Sequence, residues 1–189
     1  WRQWQPGPWR EFWVTDPKRR LIQAPPFEDR VVHHALVDTI EPLFERKMIF
    51  DSYACRVDKG THAAVQRLQA MLQRARRQWG EVYALKADIS KYFPSINHDR
   101  LLQILARTIR DRDALWLCEQ IIRGGGYEAR GIPVGALTSQ LFANVYLDQL
   151  DHQVKDHWGV KRYVRYMDDF VILGQSKAEL WELLDQLQD

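Results

Sequence analysis

Residues 166–169, with the sequence YMDD, lie between two runs of strand-like composition at 161–165 and 170–173. Two such runs separated by so few residues predict a hairpin with a tight turn. Two adjacent carboxylates between apolar strands are costly to place there without a cation. Hard divalent cations such as Mg²⁺ take oxygen ligands, and pairs of metal ions recur in phosphoryl transfer. The segment therefore predicts a metal site, with a merely polar hairpin turn as the alternative.

Asp88 is the second acidic residue of interest because it closes an apolar run, where a lone carboxylate needs a partner. If the strand that ends at Asp88 neighbours the hairpin, Asp88, Asp168 and Asp169 converge at one edge of a sheet. Three carboxylates so close together would repel one another and raise one another's pKa unless divalent ions held them. The three acids together strengthen the prediction of a Mg²⁺ site.

A glycine- and proline-containing turn at residues 130–135 leads into a helix that starts with small residues. Such an entry has little side-chain bulk and lets a nucleotide or a template backbone approach closely. An ordinary helix start followed by a core helix explains the same residues. Both interpretations remain open on the residues alone.

The composition allows one domain or two small subdomains, because 46% of the 189 residues are hydrophobic. The net charge is only +2, so the distribution of basic residues says more than their number. Basic residues cluster in two stretches that would suit phosphates or form solvated surface. These residues are Lys18, Arg19 and Arg20, and Arg67, Arg74, Arg76 and Arg77.

The two cysteines, Cys55 and Cys118, are far apart and indicate free thiols in a reducing cytosol. Together with the histidines they lack the spacing of a zinc site. The short apolar runs predict neither a signal peptide nor a membrane span. Because the chain begins with Trp1 and its end falls within a helical pattern, we expect it to be a piece of a longer protein.

Hydrophobic periodicity predicts an α+β fold with an antiparallel sheet that carries helices on one face. Residues 1–16 show no clear period, and a short hairpin-like piece is expected after the glycine triplet at 124–126. Helices are predicted at 29–45, 63–78, 99–109, 112–122, 135–155 and from 177 onward, and strands at 18–24, 82–89 and within the hairpin at 160–173.

These segments together resemble the reverse transcriptases, over nearly the whole chain. Residues 20–30 look like the first fingers motifs, 88–93 like palm motif A, 131–140 like motif B and 166–169 like the YxDD box of motif C. The resemblance implies a right-hand polymerase fold. We expect fingers at 1–80, with the start of the palm helices, and palm at 81–189, while the thumb and the motif D lysine would lie outside this chain.

The resemblance also implies residue roles. Asp88, Asp168 and Asp169 would be catalytic and, together with Ile89, would form the site for two Mg²⁺ ions, with Mn²⁺ as an alternative. Phe93 would be the steric gate that rejects a ribose 2′-hydroxyl. The expected nucleotide-binding residues are Arg20, Ser90, Lys91, Tyr92, Phe93, Val134 and Gln140. The expected template and primer contacts are Arg30, Gly135, Tyr166 and Met167, and Lys18 is a further helper.

The activity implied is RNA-directed DNA synthesis by a cytoplasmic protein of bacterial or phage origin. Its partners would be an RNA template, a DNA or RNA primer, dNTPs and a basic accessory protein of a retroelement, with no membrane. Residues 51–56, 60–62 and 135–140 most resemble diversity-generating retroelement enzymes, which miscopy template adenines. Val134 and Gln140 stand where many relatives have Gln and Pro.

The same residues allow alternatives to this type of enzyme. A group II intron, retron or defence-linked reverse transcriptase is the alternative within the family. A non-catalytic palm-like RNA-binding module is the alternative of another class, and the intact acids and Phe93 speak against it. Phe93 also argues against an RNA-directed RNA polymerase, and residues 131–144 do not suit a nucleotide cyclase.

Overall fold

The computed structural model describes residues 2–15, 19–125 and 129–188. The fold is α+β, as the periodicity predicted, with a two-stranded and a three-stranded antiparallel sheet. The strands are β1 Arg10–Val14, β2 Arg20–Ala24, β3 Tyr83–Asp88, β4 Tyr163–Tyr166 and β5 Asp169–Gly174. The helices are α1 Phe27–Glu45, α2 Thr61–Trp79, α3 Tyr92–Ser95, α4 His98–Ala106, α5 Arg112–Arg123, α6 Leu137–His152 and α7 Lys177–Gln188.

The chain divides into two compact units, each built from two separate stretches of sequence. The first unit comprises residues 1–47 and 91–146, and the second comprises residues 48–90 and 147–189. The predicted boundary between fingers and palm at residue 80 stays a prediction, because compactness alone does not identify either subdomain.

The second unit is built on the sheet β3-β5-β4. One face packs on α2 and the other packs on α7, each through a cluster of buried apolar side chains. The expectation of helices on one face only was therefore wrong. The strands alternate apolar side chains toward both faces, so each face needs a cover. The α2-side cluster consists of Tyr53, Ala64, Met71, Val164 and Leu173. The α7-side cluster consists of Val154, Tyr163, Phe170, Ile172 and Leu180.

In the first unit, β1 and β2 form an antiparallel hairpin that sequence periodicity had shown only in part. All five side chains of β1 are exposed, so the strand has no buried face and no apolar alternation. The backbone ladder with β2 defines it instead, with Arg10 opposite Ala24 and Val14 opposite Arg20. Sequence periodicity could not detect such a strand, because that pattern arises only from burial.

Helix boundaries follow local capping chemistry. The Asn97 side chain accepts from the Arg100 amide at the start of α4, and the Asp111 side chain accepts from two amides at the start of α5. Gly80, with φ of +80°, ends α2 as expected. The predicted helix at 135–155 is shorter at its start, and beyond His152 it continues as a π-helical turn over Gln153–His157.

Two sequence expectations fall partly outside the described residues. Lys18 lies outside them, and so does the beginning of the hairpin-like piece expected after the glycine triplet. Within the described part of this piece, Arg130 forms an isolated antiparallel bridge with Asn97. Among the described residues, no helix combines the length and the apolar character that crossing a membrane requires.

Candidate active site

The pairing of β3 with β5 brings two of the predicted catalytic acids directly opposite each other. Asp88 is the last residue of β3 and faces Asp169, the first residue of β5, across the antiparallel ladder. Directly opposed residues of such a ladder have Cβ atoms about 4.5–5.5 Å apart. Asp168 precedes Asp169 in the turn, and its carbonyl accepts a hydrogen bond of 3.3 Å from the Ile89 amide. The strand pairing expected from the sequence therefore occurs, and the three acids share one end of the sheet.

Opposed carboxylates repel each other, and one cation in this unit already lies nearby. The Lys86 Nζ is 3.8 Å from Asp169 Oδ1, on the same face of the sheet as Asp88. Both side chains are more than half exposed, at 75% and 53%, so this ion pair contributes little to stability. The repulsion between Asp88 and Asp169 is thus only partly offset, which favours binding of a further cation at this edge.

The described residues contain no group of three or more His, Cys, Asp or Glu side chains close enough to enclose a metal ion. Protein sites for Mg²⁺ commonly supply one or two carboxylates and leave the other positions to water and substrate phosphates. An open pair of aspartates at an exposed sheet edge therefore fits Mg²⁺ better than it fits an ion that needs a closed protein cage.

The turn that presents these acids has a left-handed residue at its centre. Met167 has φ of 56°, a conformation that a residue with a side chain adopts only at some cost in energy. Next to it, Tyr166 is partly exposed, and its hydroxyl accepts a hydrogen bond of 3.1 Å from Thr61 Oγ1. Tyr166, one of the residues that sequence analysis assigned to template or primer contacts, is therefore held by a contact within the second unit itself.

The segment after Asp88 contains side chains in different settings. Ser90 and Lys91 are exposed, and Lys91 is left-handed with φ of 50°. Tyr92 is buried and its hydroxyl donates to the Ala143 carbonyl at 2.7 Å, so this side chain supports the helix α6. Phe93 is half-buried and packs edge to face on Tyr92, with ring centroids 5.7 Å apart. The packing and the partial exposure of Phe93 leave its predicted gate role open.

The turn before α6 packs tightly against β2 within the first unit. The Gln23 amide donates to the Val134 carbonyl at 2.9 Å. Gly135 has φ of 129°, and a Cβ placed on it would lie 2.8 Å from Ile22 Cγ2. Val134 and Gln140 are half-buried. The close approach that sequence analysis expected at this turn is therefore made, in this unit, by the β2 backbone.

Gly135→Ala is expected to lower the free energy of unfolding by about 1–3 kcal/mol, because it adds a steric clash to an unfavourable φ. Urea denaturation would measure the change. Gly60→Ala is the matched control, since Gly60 has φ of 113° but nothing within 4 Å of the added Cβ. Equal losses in the two variants would show that contact with β2 does not constrain Gly135.

The two arginines predicted to contact nucleotide or template are both exposed in the first unit. Arg20 begins β2, opposite Val14. The Arg30 guanidinium lies 5.4 Å from the centroid of the Phe27 ring. Their predicted roles stay predictions, as do those of Ser90, Lys91 and Gln140.

The basic stretch on α2 divides into two groups. Arg67 Nε donates to Asp51 Oδ1 at 2.7 Å, so Arg67 forms an ion pair within the second unit. Arg74, Arg76 and Arg77 are exposed near the end of the helix. Only these three remain available for either alternative, phosphate contact or solvated surface.

Sequence reasoning missed a buried ion pair next to the YMDD turn, between Arg165 and Asp151. It also missed that Arg165 bonds through its main chain to Asp51 and Tyr53, which cover the outer edge of β4. A signal was present. Asp151 lies in the predicted helix at 135–155 and Arg165 in the strand-like run at 161–165, so two opposite charges stand beside apolar residues of predicted elements.

Solved structures of low sequence identity share the fold. The telomerase from Candida albicans, solved with the TWJ fragment of telomeric RNA, superposes with a TM-score of 0.69 at 13% identity, over 100% of this chain and 41% of that chain. The antiparallel sheet with its acidic edge and packed helices is thus the fingers and palm fold of a right-hand polymerase, as predicted.

The sequence comparisons identify the family. Residues 15–189 match the family described as "Reverse transcriptase (RNA-dependent DNA polymerase)", and the chain belongs to this family. Protein YkfC of Escherichia coli is 25% identical over 94% of this chain and 57% of its own length. The group II intron-encoded protein LtrA of Lactococcus lactis is 25% identical over 77% of this chain and 25% of its own length. The chain thus spans little more than half, or less, of these relatives.

Proposed function

We propose that the protein containing this chain is an RNA-directed DNA polymerase that makes cDNA from an RNA template. The observation that carries the proposal is the pairing of Asp88 with Asp169 at the ends of adjacent strands, with Asp168 in the turn between β4 and β5. Family membership supports the same reaction. Within this reading, residues 1–80 contribute the fingers and residues 81–189 the palm.

Asp88 and Asp168 would hold two Mg²⁺ ions, with Asp169 as the third carboxylate and Ile89 beside them. Reverse transcriptases use divalent metal ions, and the open carboxylate edge suits ions that substrate phosphates help to coordinate. When bound, such ions lower the pKa of a primer 3′-hydroxyl and stabilise the charge of the leaving pyrophosphate. Lys86 would release Asp169 once the negative charge of the Asp169 carboxylate is neutralised.

The residues of the chain then bind and orient the substrates. The main chain at 89–92 would cradle the triphosphate, with Ser90 and Lys91 exposed to meet it. Arg20 would add a planar guanidinium for phosphate or base. Arg30, Gly135, Tyr166 and Met167 would line the path of template and primer. Tyr92 would act through its main chain, because its side chain is buried.

Primer extension on an RNA template in Mg²⁺, with dNTPs compared with rNTPs, tests the proposal on the intact protein. We expect dNTP-dependent extension that Asp168→Ala abolishes. If the unaltered protein adds no dNTP, or if Asp168→Ala extends as well as the unaltered protein, the proposed function is wrong. A non-catalytic RNA-binding module would bind the template but would extend the primer with neither dNTPs nor rNTPs.

Phe93→Ala is expected to raise the use of rNTPs relative to dNTPs by about tenfold or more, because removing the ring opens space for a 2′-hydroxyl. The ratio of kcat/KM for the two substrates, measured on one RNA template, would show it. Tyr92→Phe is the control, since it leaves the neighbouring ring in place and removes only the hydroxyl. An unchanged ratio in Phe93→Ala would exclude the gate role.

We further propose that the enzyme belongs to the error-prone, diversity-generating retroelement type. Val134 supports this, because an aliphatic side chain cannot make the hydrogen bonds that a Gln amide makes near the incoming sugar. The Val134 carbonyl is held by Gln23, so a substitution at 134 changes the side chain within a fixed turn. Its partners would then include dNTPs, a DNA or RNA primer and a basic accessory protein of the retroelement.

Val134→Gln is expected to lower misincorporation opposite template adenine, with errors opposite other bases changing less. Sequencing of cDNA made by the intact enzyme would measure both. Val134→Leu is the control of similar size without an amide. An unchanged error rate opposite adenine in Val134→Gln would contradict this role of Val134.

A group II intron enzyme is the second candidate, because the intron-encoded protein LtrA is among the relatives. The two candidates differ in the RNA that they would bind. Tight, salt-resistant binding to a folded group II intron RNA, compared with an unstructured RNA of the same length, would favour the intron type. Equal binding of both RNAs would favour the diversity-generating retroelement type.

A further inference from the structure

A fully buried ion pair lies in the second unit beside the YMDD turn. The side chains of Arg165 and Asp151 are both 0% exposed. Arg165 Nε donates to Asp151 Oδ1 at 2.7 Å, and Arg165 Nη2 donates to Asp151 Oδ2 at 2.6 Å. Two parallel bonds between a planar guanidinium and a carboxylate fix the orientation of both groups.

The remaining nitrogen of the guanidinium bonds to the turn itself. Arg165 Nη1 donates to the Met167 carbonyl at 2.9 Å. Met167 is the left-handed residue of the turn, and its carbonyl belongs to the peptide that leads into Asp168. A single side chain therefore connects the buried carboxylate of Asp151 to the peptide immediately before the catalytic acids.

Other contacts of the unit hold the main chain of Arg165 and the carboxylate of Asp151. The Arg165 amide donates to the Asp51 carbonyl at 2.9 Å, and the Tyr53 amide donates to the Arg165 carbonyl at 3.0 Å. The Tyr163 hydroxyl donates to Asp151 Oδ1 at 2.6 Å. Burial and the nearby Asp151 carboxylate raise the pKa of Tyr163, so the hydroxyl keeps its proton as donor.

Stability alone does not account for this arrangement. Desolvating two charges is expensive, and well-packed apolar residues commonly replace a buried ion pair with no loss of stability. Apolar residues, however, could not donate a hydrogen bond to the Met167 carbonyl. The feature that only the charged pair provides is therefore the oriented contact with the turn.

We propose that Arg165, oriented by Asp151, is a positioning residue that fixes the Met167 turn and thereby sets the placement of Asp168 and Asp169. The proposal rests on the proposed polymerase function. It assigns the pair a role in catalysis through the geometry of the turn, without contact to substrate.

Arg165→Lys tests the proposal, because an ammonium group keeps the charge but cannot make the bidentate bond and the turn contact together. We expect kcat to fall about 10–100-fold and the Mg²⁺ concentration for half-maximal rate to rise by a similar factor, as for other residues that orient metal ligands. The KM for dNTP should change little. Arg162→Lys is the matched control, since Arg162 lies in the same segment and bonds to the exposed Gln78.

Hydrogen–deuterium exchange of residues 163–170 gives a readout that needs no activity. Arg165→Lys should raise exchange in this segment above that in Arg162→Lys, whether or not the protein extends a primer. If the unaltered protein lacks polymerase activity, the proposed function fails, while the exchange measurement still decides whether Arg165 holds the turn. Equal exchange in the two variants would overturn the proposal.

A second variant separates placement from folding. Tyr163→Phe, Asp151→Leu and Arg165→Met together make an apolar variant in which neither partner of the ion pair stays buried without the other. We expect it to unfold at a temperature close to that of the unaltered protein, yet to show the same losses in kcat and Mg²⁺ dependence as Arg165→Lys. Full activity in the apolar variant, or its failure to fold, would overturn the proposal, because the pair would then serve stability alone.

Discussion

Asp88→Asn is expected to reduce nucleotide addition by about 10³-fold, because metal-assisted stabilisation of transition-state charge is worth several kcal/mol. The same change should leave the protein as stable as before, or slightly more stable. Asp88 directly opposes Asp169 in the ladder, so neutralising one carboxylate relieves repulsion at an exposed edge. Loss of activity without loss of stability is the signature of a residue retained for chemistry.

Primer extension and thermal unfolding of the same preparation would check both parts of this result. Asp185→Asn is the control, because it makes the identical substitution at an exposed position of α7. Adding Mg²⁺ should stabilise the unaltered protein more than Asp88→Asn, since binding to the folded state raises stability. Retained activity in Asp88→Asn, or a large drop in its unfolding temperature, would contradict the assignment.

Asp151→Ala is expected to lower the free energy of unfolding by about 3–5 kcal/mol, the usual cost of leaving one partner of a buried ion pair without the other. The Arg165 guanidinium would stay fully buried and lose both of its bonds to the carboxylate. The Tyr163 hydroxyl would lose its acceptor as well. Such a loss is a large fraction of the stability of a typical domain.

Urea denaturation at neutral pH measures this effect. Asp156→Ala is the control in the adjacent π-helical turn, where the carboxylate is 62% exposed and pairs with His152 across the surface. The control should cost no more than about 1 kcal/mol. If Asp151→Ala lowered the free energy of unfolding as little as the control does, water or another group would be replacing the carboxylate as the partner of Arg165.

The two substitutions concern carboxylates of the same unit with opposite energetic roles. Asp88 lies at an exposed edge opposite a like charge, so we expect its removal to affect chemistry more than folding. Asp151 is enclosed and serves as the partner of a cation, so its removal affects folding first. Exposure and the sign of the nearest charge distinguish the two cases.

Much of the fold was predictable where burial imposes a period. Helices α1, α2, α5 and α7 and strand β3 lie within about two residues of their predicted bounds, because each buries a continuous stripe or capping residues mark its ends. Strand β1 was not predictable, since it buries no side chain. The cover on both faces of the three-stranded sheet was missed, because α2 and α7 are far apart in sequence.

The acids of the candidate site were predictable from the sequence, but their register across the sheet was not. The acids of YMDD and Asp88 are visible because carboxylates in or beside apolar strands are unusual without a cation. Their register, with Asp88 opposite Asp169, depends on how β3 and β5 pair. The role of Tyr92 as a support for α6 could not be predicted, because the sequence motif does not indicate whether the tyrosine hydroxyl is buried or exposed to solvent.

By itself, the sequence determined the family and indicated the proposed chemistry and its candidate acids, because these depend on residue types and their order along the chain. Only the tertiary structure decided what holds the acids in place. Asp51 and Asp151 both bond to Arg165 beside the YMDD turn, although Asp51 comes from a remote part of the sequence and Asp151 from another element of the fold. Their contacts arise from the packing of strand, helix and loop, and no local pattern records which distant charge a buried arginine will meet.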